Sequence, residues 1–384
     1  MVCVKKTAKY ILCGIFAFAC IFWPAPERPQ AQVPVFAAFG GLTLVSAETQ
    51  PAPLVSLQEP DPEPEPEEEP EPEPEEKIYF KIKHLRELVI SAVGDLSLAS
   101  NYVKPYANSF YEYYDLYGPE YFGENVAYIF KEESDYNIAN LECALTDNLD
   151  PAIRKGNQYC YRGYTEYTSV ITAMGINSVN LANNHTYDYG QTGYDDTTAA
   201  LDCAGIGYFG NGAVFLDEVD GIKIGLVGIL GANRSQQIPD ALAYLDASGA
   251  DIKIVSFHWG NMSQTAANGD QIAAGRYAID CGADLVIGHH PHVLQGIELY
   301  KGRYIAYSLG NFIFDGSVIS DMENRTSVIF QNKLVLHGRE IIKNEINLIP
   351  VFVTSNTSRN NFKPVLAAGE QKEAILRKIE ARSP

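Results

Sequence analysis

Asp284–Glu298 reads DLVIGHHPHVLQGIE. Its first four residues read as a short strand, apolar and branched from Leu285 to Ile287. The chain then meets Gly288 and delivers three histidines in four positions, His289, His290 and His292. A strand that empties into ligand-type side chains at its carboxyl end is the pattern of an open α/β sheet, where ligands gather along that edge. The same pattern recurs upstream. Leu88–Val93 (LVISAV) ends in Gly94-Asp95, and Tyr136–Leu141 (YNIANL) ends in Glu142. Ser178–Leu181 leads into Asn183-Asn184-His185, and Ile252–Phe257 (IKIVSF) leads into His258-Trp259-Gly260.

Between these strands lie helical stretches: Thr165–Met174 closed by Gly175, Gly190–Ala204 closed by Gly205, and Gln271–Cys281. Val214–Val219 and Ile222–Ile229 flank Asp220-Gly221, a hairpin turn. Later hairpins pair Leu294–Tyr300 with Arg303–Tyr307, and Ser327–Leu336 with Glu340–Val353. A final helix covers about 366–379. Strand–helix alternation followed by hairpins predicts a layered α/β fold with mixed sheets.

The chain has seven histidines, and five sit in the strand-end loops; the others are His84 and His337. One histidine after a strand is an ordinary loop or core residue. Three strands ending in histidine and two in carboxylate point to a metal site. Imidazole mixed with oxygen ligands suits zinc, iron or manganese. Two divalent ions side by side would activate water and clamp an in-line displacement. There is no Gly-x-Ser-x-Gly elbow, no P-loop lysine and no Gly-x-Gly-x-x-Gly after the first strand. Cys143 could be a nucleophile, but nothing near it marks a low thiol pKa.

Of 384 residues, 29 are basic and 48 acidic, a net charge of −19. The run Glu59–Glu76 holds 11 acidic residues and 7 prolines, and removing its charges takes −19 to −8. The remainder lacks a basic face, which excludes a nucleic-acid partner. The run itself can neither bury a core nor form a helix. As polyproline II it makes a stiff spacer on the order of 55 Å long.

Ahead of it, Lys5, Lys6 and Lys9 precede the apolar run Tyr10–Trp23, a secretory pattern that is short for a membrane span. Val45-Ser46-Ala47 offers a cleavage signal. The expected organisation is a signal or anchor over 1–50, a linker over 51–76 and a folded domain over 77–384. The protein would face outward on the cell membrane, or be secreted if the N-terminal segment is cleaved. Seven cysteines without a CxxC pair read as thiols, with Cys143–Cys160 the one disulfide left open.

Several side chains carry two readings. Asp188 either orients His185 or caps the following helix. Arg154, Lys155 and Arg162 either hold a substrate carboxylate or phosphate or are solvated charges. Trp259 and Phe312 are core or a substrate platform. Eight tyrosines within 101–130 form either a lid or an amphipathic packing surface.

The motifs Val93-Gly94-Asp95, Asn140-Leu141-Glu142, Leu181–His185 with Asp188-Tyr189-Gly190, Phe257–Gly260, Gly288–Glu298 and Tyr307–Asp315 (YSLGNFIFD) occur in order. Together they resemble the CapA family of capsule poly-γ-glutamate synthesis proteins, whose domain is similar to calcineurin-like metallophosphoesterases. The resemblance implies a four-layer α/β/β/α sandwich with a two-ion centre between its sheets. By analogy Asp95, Glu142, Asn184, His258, His290 and His292 would be metal ligands, with Glu142 in the bridging place and His289 the alternative to His290. His185 would be the general acid, with Asp188 beside it, and Asn311 would line the site.

The implied partners are polyglutamate synthase membrane subunits and a polyglutamate or cell-envelope substrate. Two departures stand out: Ser97 replaces the usual histidine after the first aspartate, and Asn-Leu-Glu replaces Gly-Asp-x-x-Asp. Three functions follow as alternatives. They are participation in polyglutamate synthesis or export, metal-dependent hydrolysis of phosphate esters or amides in the envelope, and a non-catalytic binding subunit.

Overall fold

A computed structural model describes residues 85–101, 106–150, 159–315 and 321–384. The signal or anchor segment, the Pro/Glu run, Tyr102, Arg154 and Lys155 lie outside them. The described residues fall in one compact unit. Among them no helix is long and apolar enough to cross a membrane.

The strands in chain order are β1 (Leu85–Leu96), β2 (Ser100–Asn101), β3 (Tyr136–Leu141), β4 (Ala144–Leu145), β5 (Tyr161–Gly163) and β6 (Ser178–Asn180). Next come β7 (Gly207–Phe209), β8 (Val214–Val219), β9 (Ile222–Leu230), β10 (Ile252–His258), β11 (Leu285–His289) and β12 (Ile297–Tyr300). The last are β13 (Arg303–Ala306), β14 (Asn311–Ile313), β15 (Thr326–His337), β16 (Glu340–Phe352) and β17 (Val365–Leu366). The helices are α1 (Phe110–Tyr117), α2 (Ala127–Glu132), α3 (Thr168–Met174), α4 (Gly190–Ala204), α5 (Ile238–Ala247), α6 (Gly269–Asp280), α7 (Met322–Arg325) and α8 (Gly369–Arg382).

Two large sheets result. One has the order β17-β16-β15-β1-β3-β6-β7 with β14 on β1; the other has β12-β13-β11-β10-β9-β8. Strand alternation splits each sheet's side chains between two cores. Leu88, Ile90, Ala92 and Ile138 of the first sheet meet Ile224, Leu226, Ile252, Ile254 and Ile287 of the second. On the outer face of the first sheet, Val93, Ala139 and Val179 pack on Phe110 of α1, Phe130 of α2, Ile171 of α3 and Leu201 of α4. On the outer face of the second, Val227, Val255 and Val286 pack on Leu242 and Leu245 of α5 and Ala274 and Ala278 of α6. The fold is the expected four-layer α/β/β/α sandwich.

The local signals act as the residues dictate. The Asp220-Gly221 turn takes positive φ at both positions (49° and 73°), as a two-residue hairpin requires. Helix α6 starts with a reciprocal Asn268–Gln271 capping box. The tyrosine-rich stretch is packing: Tyr113 stacks on Tyr121, and Phe110 stacks on Phe122 and abuts Tyr167. Trp259 and Phe312 are buried, the indole donating to Tyr307 O at 2.9 Å. Cys143 and Cys160 are buried thiols with no bond between them, and burial pushes the Cys143 thiol up, which makes it a poor nucleophile.

Candidate metal centre

The carboxyl edges of the two sheets face each other, and the strand-end residues converge there. Asp95 ends β1, Glu142 follows β3, Asn184 and His185 follow β6, His258 ends β10, and His290 and His292 follow β11. Register holds them together. Asp95 lies beside both Asn140 and Asn311 in the first sheet, and His258 lies beside His289 in the second. Gly94 is required at the junction, because a Cβ there would fall 1.9 Å from the Gly310 carbonyl oxygen.

Two groups of ligand atoms result: Asp95, Glu142 and His292, and Glu142, His258 and His290, each within 4.8 Å of one another. Glu142 is common to both. Its Oε1 lies 3.5 Å from His258 Nε2, 3.7 Å from His292 Nε2 and 4.0 Å from His185 Nε2. Both carboxylate oxygens are buried and have no hydrogen-bond partner. A buried carboxylate left in that state calls for an ion, so the donor set fits two divalent cations, with Glu142 among the residues that would hold each.

The electrostatics follow from crowding in a dry place. Burial alone would raise the Asp95 pKa, but the His289 and His292 imidazoles beside it hold it well below the usual range. Burial and the Asp95 charge push Glu142 well above its ordinary value. Burial, reinforced by neighbouring imidazoles, lowers His258, and brings His290 down to about 4. Both rings are therefore neutral at physiological pH, the form that binds metal.

His185 is held differently. Its Nδ1 is 2.7 Å from Asp188 Oδ2, which also accepts from the Tyr161 backbone N–H at 2.9 Å. Asp188 thus orients the imidazole and does not cap α4, whose N-cap is Tyr189 without a side-chain bond. Asn184 Oδ1 lies 2.6 Å from His258 Nε2, on the side facing Glu142.

Arg162 and Asn311, the two residues expected beside a substrate, both have contacts within the protein. Arg162 donates to Thr146 O at 3.0 Å and lies over the rings of Tyr164 and Tyr111. Strand parity explains this, since it is the adjacent Tyr161 whose ring meets His185 edge-on at 4.8 Å. Asn311 places Oδ1 3.0 Å from His292 Nδ1 and donates to His292 O at 3.2 Å, so it braces a ligand.

Sequence reasoning missed Asn140, whose amide reaches Asp95 Oδ1 at 2.9 Å and His258 Nδ1 at 3.3 Å. The signal was present: Asn140 is two residues before Glu142 and so shares its face. Tyr161 and Phe314 were also missed; Phe314 lies 4.6 Å from the His292 ring and 5.5 Å from Tyr161.

The chain was compared with known proteins. Residues 89–243 and 219–316 match the family described as bacterial capsule synthesis protein PGA_cap. The capsule biosynthesis protein CapA of Bacillus anthracis is 29% identical over 327 residues, covering 78% of this chain and 74% of that one. The PGA biosynthesis protein CapA of Bacillus subtilis is 35% identical over 175 residues, covering 39% of this chain and 46% of that one. Among solved structures, TT1561 of Thermus thermophilus superposes with a TM-score of 0.37 at 11% identity, covering 68% of this chain and 99% of that one. The family match spans the strands that carry Asp95, Glu142, His185, His258 and the His289–His292 turn, and the chain belongs to the bacterial capsule synthesis protein PGA_cap family.

Proposed function

We propose that this protein takes part in poly-γ-glutamate synthesis or export at the outer face of the cell membrane, through hydrolytic chemistry at a two-ion centre. The N-terminal segment would anchor it, or release it if cleaved, and the Pro/Glu run would space the domain over 77–384 from the membrane. Polyglutamate synthase membrane subunits are the partners this implies. The family membership and the names of the two Bacillus relatives support the capsule role. The observation that carries the chemistry is Glu142, with two unpartnered buried oxygens shared by both ligand groups.

Asp95, Glu142, Asn184, His258, His290 and His292 would hold the ions, of manganese, zinc or iron. Such a pair, when bound, supplies water activation and charge neutralisation for displacement at a phosphate ester or amide. The chain's own contribution is positional and protic. Asp188 fixes the His185 ring through Nδ1, which turns Nε2 toward Glu142 and leaves it to hold or deliver a proton to a leaving group. Tyr161 and Phe314 wall that side with apolar surface and exclude water from the two imidazoles they touch.

The test is turnover of a generic phosphodiester and of a γ-glutamyl amide by the full chain supplied with manganese or zinc. The proposal expects activity that falls by about 10²-fold or more in His185→Gln, the scale of a lost proton donor, while metal content is kept. No turnover of either substrate by a metal-loaded, folded protein would refute hydrolysis.

A further inference from the structure

Strand β16 offers one flank to β15 along its whole length, Glu340–Phe352, but its other flank meets a strand only at Val351 and Phe352, through β17. Among the described residues, the backbone groups that point outward between Glu340 and Pro350 therefore face no strand. The face turned toward the second sheet is held. Asn344 accepts from Asn332 Nδ2 at 2.6 Å and gives its own Nδ2 to Gly302 O, in the β12–β13 turn, at 2.9 Å. Alternation puts Lys343 and Glu345 on the opposite face, where they pair at 3.0 Å with both side chains more than half exposed. Glu345 also has Lys333 of β15 directly across the ladder.

The same flank shows apolar surface. The β15 register passes from Leu336 opposite Ile341 to Val335 opposite Lys343 and skips Ile342, a bulge. Ile342 is more than half exposed, and so is Leu299 of β12, the outermost strand of the second sheet.

Lysine and a bulge commonly keep an edge from pairing, but this lysine has its complement within its own strand. When two copies of β16 run antiparallel with Asn344 opposite Asn344, Lys343 of each lies opposite Glu345 of the other, and Ile342 lies opposite Ile346. Moving the centre by one residue sets Lys343 against Lys343 or Glu345 against Glu345, and like charges directly opposite are destabilising. A half-step would set one face of the strand against the other. The flank is thus complementary to itself in a single register, as a two-fold contact requires.

We infer that a second copy of this chain docks on this flank, β16 pairing with β16 about a two-fold at Asn344, so that the first sheets of the two copies become continuous. Each Glu345 then lies between Lys333 of its own chain and Lys343 of the second copy. The contact is independent of the metal centre.

The test is sedimentation equilibrium of the full chain in density-matched detergent, with hydrogen exchange followed over 340–350. Wild type should dimerise, and exchange in that stretch should slow as the dimer fills. Lys343→Glu sets like charges opposite at two positions and should weaken the dimer by about ten-fold or more; Glu345→Lys should do the same. The double variant Lys343→Glu/Glu345→Lys restores opposite pairs and should recover most of the loss. Circular dichroism checks that each variant is folded, as substitution of exposed side chains predicts.

A wild type that stays monomeric overturns the inference. So does a dimer that neither single variant weakens, or one whose loss the double variant fails to recover. A dimer that forms without slowing exchange over 340–350 uses another surface and overturns it as well.

Discussion

Glu142 stands where the implied family pattern has an aspartate, and its longer side chain brings one oxygen within 3.5–4.0 Å of three imidazoles. Because it is common to both ligand groups, Glu142→Gln should lose both ions. The metal-free variant should be the more stable protein at neutral pH. The sign follows from linkage. The native state raises the Glu142 pKa, so it holds that proton more tightly than the unfolded chain does, and stability falls as pH rises above the ordinary value of 4.5. Glutamine removes that penalty, and urea titrations in chelator at pH 5 and pH 7 should show the advantage growing with pH.

His290 works in the opposite sense. Its pKa falls from 6.5 to about 4, so the unfolded state binds more protons in that window and stability is lost as pH drops from 6.5 toward 4. His290→Gln should gain on wild type across that range in metal-free buffer; parallel curves would remove the assigned burial as the cause. At this scale the histidines and carboxylates were legible because their types are scarce and their positions recur. Asn140 was not, since an asparagine's role depends on which way its amide is turned by distant groups, as by Asn180 and Asn183 here. Arg162 carried two readings because charge alone does not tell which face of a strand a residue takes.

Strands β3 and β8 and helix α4 keep the bounds expected from their patterns, β10 extends to include His258, and β11 runs on to His289, just short of His290 and His292. Those elements have clean periodicity and strong stops. Helices α1 and α2 and the three-stranded sheet β2-β5-β4 were not anticipated. Tyrosine is at home in strands as well as on half-buried helix faces, so a tyrosine-dense stretch carries little periodic contrast. Helix α5 was passed over although Ile238, Leu242 and Leu245 share one buried face; the proline in its first turn is compatible with a helix start.

The strand-end glycines are the elements' sharpest constraint. Gly94→Ala would drive a methyl group into the Gly310 carbonyl, and Gly288→Ala one into the Tyr307 carbonyl at 2.0 Å. Each should cost about 1–3 kcal/mol or more and weaken metal binding, because the adjacent residues are Asp95 and His289. Full stability with full metal content in Gly94→Ala would mean that β14 does not pack on β1 as described.

The centre belongs to neither sheet alone. Asp95, Glu142, Asn184 and His185 come from the first, His258, His290 and His292 from the second, and the apolar core between the layers sets their separation. Ion binding should therefore report on the whole sandwich. Excess manganese or zinc should raise the melting temperature and chelator lower it, the ion at a hundred times its dissociation constant adding about 2.7 kcal/mol of stability. The four-layer architecture was legible from strand–helix order together with family resemblance, while the closeness of the two carboxyl edges, which makes one site of seven residues, was visible only in three dimensions.

The most direct test is the metal content of the full chain purified without chelator, measured by elemental analysis beside Glu142→Gln with circular dichroism on both. The account predicts about two divalent ions per wild-type chain and a folded variant that has lost both. A folded wild type that takes up no manganese, zinc or iron when supplied with them would contradict it, and so would a variant that keeps its full complement.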